Sequence, residues 1–247
     1  MKFTINRLSS VLGAEILGAD LTEPSSDAQF DELRKAWIAA DGVLIIRDQD
    51  LTPNQQIAFS RRFGELVTQF LDADYVLPNH PEIYRVSNKK QGKKPLGRAK
   101  TYSFWHSTLS YLRRPAKASF LYAIEVPPSG GDTMFANMCA AYDALSPTMQ
   151  EMISDLHAVH DHSYTARDAS SGNQMGEERL AQSAEHPVVM SNPDSGRKAL
   201  FINPGFTARI VGLEPSESNA LLDFLIRHST QAEFVYRHCW QVGDLVI

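Results

Sequence analysis

"WHSTLSYLRRPAKASFLYAIEVPPSGGDTMFANMCAAYDALS" occupies residues 105–146, and its reading decides the fold. His106 sits in an apolar, aromatic setting, with Thr108 two residues on. On an extended segment residues i and i+2 share a face, the spacing at which a second metal ligand is often found. A threonine hydroxyl is a poor metal ligand, and a lone histidine is more often structural, so the pair alone leaves a metal role and a core role both open. Further on, "ASFLYAIEVP" (118–127) reads as a strand and "NMCAAYDAL" (137–145) as a helix. Between them "PPSGGDT" (127–133) is a turn whose Gly130 and Gly131 permit close backbone approach. It is not a phosphate loop, because no lysine follows in the required place.

Working outward, residues 3–8 and 14–21 read as short strands. Residues 26–40 form an amphipathic helix opened by Ser26 and Asp27. "GVLIIRDQ" (42–49) is a continuous apolar run, expected to be a strand buried on both faces. A helix over 52–66 starts at Thr52 as N-cap with Pro53 in its first turn. Strands are expected at 82–88, 186–192, 198–203, 233–240 and 244–247, with a Pro-Asp-Ser-Gly hairpin signal at 193–196. Helices are expected at 146–156 and 216–229. Many short strands with flanking helices predict a β-sandwich or jelly roll.

The chain has 247 residues, a net charge of −5 and two cysteines, Cys139 and Cys239. That length fits one large domain or two small ones. The charge gives no reason to expect a nucleic-acid partner. Two cysteines make no disulfide framework, and a reducing cytosol is the natural compartment. The first residues lack the apolar core of a signal peptide, and no stretch has the length of a membrane span.

Two further segments stand out. "NKKQGKKPLGRAK" (88–100) holds six basic residues and no acid. On composition it is a solvated loop; its position just before Tyr102 and His106 also suits a lid over a site that receives an anion. "HAVHDH" (157–162) places three histidines close together, and a zinc hydrolase could use His157, His160 and Asp161. The cluster falls where a helix passes into a strand, so divergent side chains are the stronger expectation.

The 105–146 stretch resembles the heart of the taurine / 2,4-dichlorophenoxyacetate dioxygenase family of non-haem iron, 2-oxoglutarate-dependent oxygenases. "GVLIIRDQDLTPNQQIAFSRRFGEL", "HPVV", "KALFINPGFTARIVGLEPSES" and "FVYRHCWQVGDLVI" are similar too, in the family's order over nearly the whole chain. The resemblance implies a single oxygenase domain over residues 1–247 and a mainly β fold with flanking helices. That fold is a double-stranded β-helix, a cupin-like jelly roll, here expected to lack its C-terminal part. It implies Fe(II) as cofactor, 2-oxoglutarate as co-substrate, dioxygen and a small anionic organic substrate. A membrane partner is not expected; a homo-oligomer fits the family.

Residue by residue, His106 matches the first iron ligand of a His-x-carboxylate…His triad, which leaves one face of the metal open. Thr108 stands in the carboxylate position, a departure. The stretch that would carry the distal histidine and the arginine for 2-oxoglutarate lies beyond Ile247. Thr133 matches the threonine that helps hold the 2-oxoglutarate carboxylate. Tyr102 and Gln69 match substrate-facing positions, Gln69 standing where a taurine-type relative has histidine. Phe206, in "NPGF", lines the substrate pocket on this reading. The alternatives are a non-catalytic member disabled at Thr108, a halogenase-like variant in which a small residue admits chloride, and the zinc hydrolase.

Overall fold

The computed structural model describes residues 3–68, 73–99, 104–166 and 182–247. The first elements are β1 (Thr4–Arg7), β2 (Ala14–Leu17), α1 (Asp27–Ala39), β3 (Leu44–Ile46) and α2 (Pro53–Arg61). Two small hairpins follow, β4 (Val76–Leu77) with β5 (His80–Tyr84) and β6 (Lys90–Gln91) with β7 (Lys94–Pro95). Next come β8 (Leu121–Tyr122), β9 (Thr133–Ala136), α3 (Met138–Asp143), α4 (Pro147–Ile153), β10 (His157–Asp161) and the short α5 (His162–Ala166). The remainder is β11 (Ser183–Pro187), β12 (Val189–Ser191), β13 (Lys198–Leu200), β14 (Thr207–Ile210), α6 (Pro215–Ser229), β15 (Val235–His238) and β16 (Leu245–Val246).

Local chemistry starts the helices. In α1 the Ser26 hydroxyl accepts from the Gln29 backbone N–H, and the Gln29 side chain accepts from the Ser26 N–H. Thr52 and Gln55 repeat the device at α2, with Pro53 in its first turn. Each reciprocal cap satisfies two N–H groups that the helix cannot, worth about 1 kcal/mol.

The largest sheet runs β1-β2-β3-β16-β8, with β2 and β3 parallel and the other pairs antiparallel. Its centre is buried on both faces, as the apolar run at 42–49 predicts. Leu44, Ile46 and Leu245 face α1 and α2, packing with Phe30, Leu33, Trp37 and Phe59. Ile45 and Val246 point the other way, against Phe135, Tyr236 and Trp240. Those three belong to the β9–β15 pair and the residues just after it, so a second β layer covers this face. A third cluster joins α3, α4 and α6 to β10, β13 and β14 through Ile153, Ala158, Leu200, Ile210 and Leu225. Each buried leucine, isoleucine or phenylalanine of these clusters stabilises the fold by roughly 1.5–3 kcal/mol. The chain is thus mainly β with helices packed on it.

Several elements are shorter than the sequence suggests. α2 ends at Arg61 rather than continuing to residue 66. Phe63 turns out of the helix line into an edge-on ring cluster, 5.0 Å from both Phe30 and Phe120 and 5.6 Å from Trp37. The strand expected over 118–127 pairs only at Leu121 and Tyr122, opposite Val246 and Leu245. The strand expected over 233–240 is confined to β15, preceded by a 3-10 turn at Ala232–Phe234. The strands expected at 118–127, 198–203, 233–240 and 244–247 are spread over separate ladders: β8 and β16 share the large sheet, β13 pairs with β12, and β15 with β9. The basic segment is not a featureless loop, because it forms the β6–β7 hairpin. Among the described residues no helix is long and apolar enough to cross a membrane.

Candidate active site

The segment carrying His106 is irregular backbone held by its neighbours. Gly205 N–H donates to the Trp105 carbonyl at 3.3 Å, and the Asn203 side-chain amide donates to the buried Ser110 hydroxyl at 3.3 Å. Only glycine fits at 205: a Cβ there would meet Phe104 Cδ2 at 2.7 Å and the Trp105 carbonyl at 3.2 Å. The Asn203 side chain also accepts from the Phe206 N–H at 2.8 Å, and the Thr207 hydroxyl accepts from the Asn203 N–H at 2.8 Å. This turn buries the Phe206 ring beside the histidine segment. Leu109 adopts a φ of 58°, a conformation that costs a branched side chain about 1–2 kcal/mol and bends the chain sharply after His106.

Phe206 is the hub of the site. Its ring centroid lies 6.2 Å from His106, 6.2 Å from Phe104, 5.0 Å from Tyr111 and 6.0 Å from His162, the last in a stacked arrangement. Tyr111 and His162 touch edge-on at 4.7 Å. The structure therefore brings together His106 and Phe206, and adds Tyr111 and His162, which the sequence reading does not place at this site.

His106 Nδ1 lies 3.1 Å from the Phe104 carbonyl. A carbonyl can only accept, so the proton sits on Nδ1 and Nε2 carries the lone pair, the tautomer a metal-ligating histidine needs. One side of His106 is open to solvent, yet the flanking rings desolvate it enough to hold its pKa below the ordinary value, with the Phe104 hydrogen bond opposing. Thr108 is exposed, and its hydroxyl oxygen accepts from the Ser119 hydroxyl at 3.1 Å. His162 is also held below the ordinary pKa, first by burial and then by the positive charge of Arg98, with Asp161 opposing. Arg98 is thus the residue of the basic segment whose charge is felt at the site. It is anchored by a bridge to Val86 and by Gly97, where a Cβ would meet the Arg85 carbonyl at 2.8 Å. Lys89 pairs with Glu125, while Lys90, Lys93 and Lys94 are exposed.

Thr133 opens β9 opposite His238 of β15. The Trp240 indole N–H donates to the Thr133 hydroxyl oxygen at 3.0 Å. Behind it lies a buried polar chain. Asp244, fully buried, accepts two hydrogen bonds from Arg47 at 2.8 and 3.0 Å, one from the Gln241 N–H at 2.8 Å and one from His238 Nε2 at 3.1 Å. Arg47 also pairs with Glu15 at 3.1 Å. Burial alone would raise the Asp244 carboxyl, but His238, the Gln241 N–H and Arg47 together hold it below the usual carboxylate range. Gln69 and Tyr102 lie outside the described residues.

The histidine cluster does not converge. His157 is exposed and His160 buried on β10, while His162 starts α5 and faces Phe206. Among the described residues no group of three or more His, Cys, Asp or Glu side chains comes together to hold a metal. That removes the geometric basis for a zinc hydrolase at His157, His160 and Asp161. The same test bears on iron. His106 supplies a suitable imidazole, but its same-face partner is a neutral hydroxyl engaged by Ser119. These donors do not by themselves fit a 2-His-1-carboxylate site.

Residues 4–247 match the Taurine catabolism dioxygenase TauD, TfdA family, and the chain belongs to it. An alpha-ketoglutarate-dependent 2,4-dichlorophenoxyacetate dioxygenase from Cupriavidus pinatubonensis is 34% identical, the match covering 100% of this chain and 89% of the relative. The crystal structure of a taurine dioxygenase from Burkholderia xenovorans superimposes with a TM-score of 0.81 at 31% identity, covering 100% of this chain and 80% of that one. AAD-2, solved with Mn(II) and N-oxalylglycine, gives 0.79 at 30% identity over 99% of this chain and 86% of its own. The family consists of Fe(II)- and 2-oxoglutarate-dependent dioxygenases.

Proposed function

We propose that the protein is a single-domain oxygenase with a double-stranded β-helix core, which hydroxylates a small organic acid while 2-oxoglutarate is decarboxylated to succinate. The observation that carries the reading is His106 itself: its Nδ1 is committed to the Phe104 carbonyl, which leaves the lone pair on Nε2, and its ring lies 6.2 Å from that of Phe206. On this reading His106 is the catalytic metal ligand and Thr133 donates to the distal carboxylate of 2-oxoglutarate. Phe206, with Tyr111 and His162, walls the substrate side and keeps water from it. Tyr102 and Gln69 are assigned to the same side on sequence grounds alone. An acid is favoured because the Arg98 charge reaches His162 inside this wall. Relatives named for 2,4-dichlorophenoxyacetate and for sulfonate carry acid anions in those names, which accords with it.

A second reading, a binding protein without turnover, is favoured by Thr108, which offers no carboxylate and is hydrogen-bonded to Ser119. Thr108→Asp separates the two. Anaerobic Fe(II) titration with 2-oxoglutarate should show weak binding by the native protein and binding tighter by at least about tenfold in the variant, with succinate formation rising in parallel. Equal turnover by both would remove Thr108 from the ligand position. No succinate from either, at saturating iron and keto acid, would favour the binding protein.

A further inference from the structure

We infer that the β6–β7 hairpin is a docking arm for an anionic phospholipid surface, against which the protein lies without crossing it. The inference is independent of the reaction at the candidate site.

Six of the chain's 24 basic residues and none of its 29 acidic ones fall in residues 88–100. The fold turns most of that segment into an arm. The ribbon continues from the β6–β7 pair down to its root. The Leu96 N–H donates to the Lys89 carbonyl at 2.9 Å, the Ser87 N–H to the Arg98 carbonyl at 3.2 Å and the Arg98 N–H to the Arg85 carbonyl at 3.0 Å. Gly92, at a φ of 62°, closes the tip in a two-residue turn with Lys93. One edge of the ribbon, from Arg85 to Gln91, spans roughly 20 Å. Residues 88–95 are all exposed, so neither face of its outer half is covered. Lys89 pairs with Glu125, while Lys90, Lys93 and Lys94 make no ion pair among the described residues. On an otherwise acidic chain, these ammonium groups form a one-sided positive pole.

The surroundings of the arm select the partner. Val86, at its root, is 55% exposed, and Ile124, next to the ion-paired Glu125, is 72% exposed. The Gly243 N–H donates to the Ala123 carbonyl at 2.8 Å, which brings Val242, 61% exposed, alongside Ile124. Aliphatic side chains beside lysines suit a bilayer interface, where hydrocarbon lies just beneath anionic headgroups. They gain little against the phosphate backbone of a nucleic acid, and residues 88–95 include no aromatic ring on which a base could stack. A protein that lies on a bilayer needs no spanning helix.

The test is flotation of the full chain with phosphatidylcholine vesicles, prepared with and without phosphatidylglycerol, at low salt. The native protein should float with the mixed vesicles and stay behind with phosphatidylcholine alone. Lys93→Ala should weaken binding about fivefold, and Lys90→Ala, Lys93→Ala and Lys94→Ala combined about a hundredfold. Lys35→Ala, an exposed lysine of α1, should leave it within about twofold. Salt at about 0.5 M should release the native protein. Binding that is equal with and without phosphatidylglycerol, or undiminished in the triple variant, would refute the inference. Duplex DNA that binds more tightly than the mixed vesicles and strips the protein from them would reassign the arm to nucleic acid. Self-association that the triple variant loses, with no vesicle binding by the native protein, would reassign it to a second copy of the chain.

Discussion

Mild acid should weaken this fold through one buried histidine. His160 is fully buried on β10, stacked on Phe201 at 5.1 Å and edge-on to His186 at 5.4 Å. Its Nε2 lies 3.2 Å from the Phe201 carbonyl, so Nε2 carries the proton. A second proton would go to Nδ1, which has no hydrogen-bond partner among the described residues. Burial, and then the neighbouring His186, push its pKa from 6.5 down to about 4, with the Phe201 bond opposing. The unfolded chain takes up this proton as pH falls through 6.5, whereas the folded chain waits until about 4. Stability is therefore intact above 6.5 and drains away between the two values. Linkage over that window gives a loss of about 2 kcal/mol by about pH 5, approaching roughly 3 kcal/mol near pH 4. His162, also lowered, acts in the same direction. Urea unfolding at about pH 7.5 and about pH 5 measures the loss. His160→Gln keeps a donor for the Phe201 carbonyl and cannot titrate, so it should remove about 2 kcal/mol of the difference between the two conditions. A variant that loses stability with acid as steeply as the native protein would refute the assignment to His160.

Arg47→Met should strand the buried Asp244 carboxylate and cost about 3–5 kcal/mol in denaturant unfolding, most of it recovered when Asp244→Asn is added; a cost under about 1 kcal/mol would mean that His238 and the Gln241 N–H suffice. Gly205→Ala forces a methyl onto Phe104 and should cost about 1–3 kcal/mol, with Phe104→Ala relieving part of it; strictly additive losses would show that the two do not meet.

What the sequence determined by itself is local. Ser26 with Gln29, and Thr52 with Pro53 and Gln55, start their helices through groups at most three residues apart, so residue identity and spacing are enough. The apolar run around Leu44 to Ile46 announces a strand covered on both faces, because an uncovered face would leave these side chains in water. Spacing marks His106 as either a ligand or a core residue; its metal role and the place of Phe206 are legible only through a resemblance that preserves motif order.

Only the tertiary structure decided who meets whom. Periodicity tells which face a side chain takes and is silent on what lies opposite. Phe63 leaves the α2 line because four aromatic rings, contributed by Phe30, Trp37, Phe59 and Phe120, offer it a better place than another helical turn. The strand around Leu121 is cut short because its partner β16 is itself only two residues long, with Ala123 bonded to the Gly243 and Asp244 backbone at its end. His157, His160 and His162, neighbours in sequence, part company because strand alternation and the start of α5 point them to different surroundings. Trp240 and Thr133 are 107 residues apart, and nothing in either segment marks the other. They meet because β9 and β15 pair in a register that sets Thr133 opposite His238, two residues before Trp240.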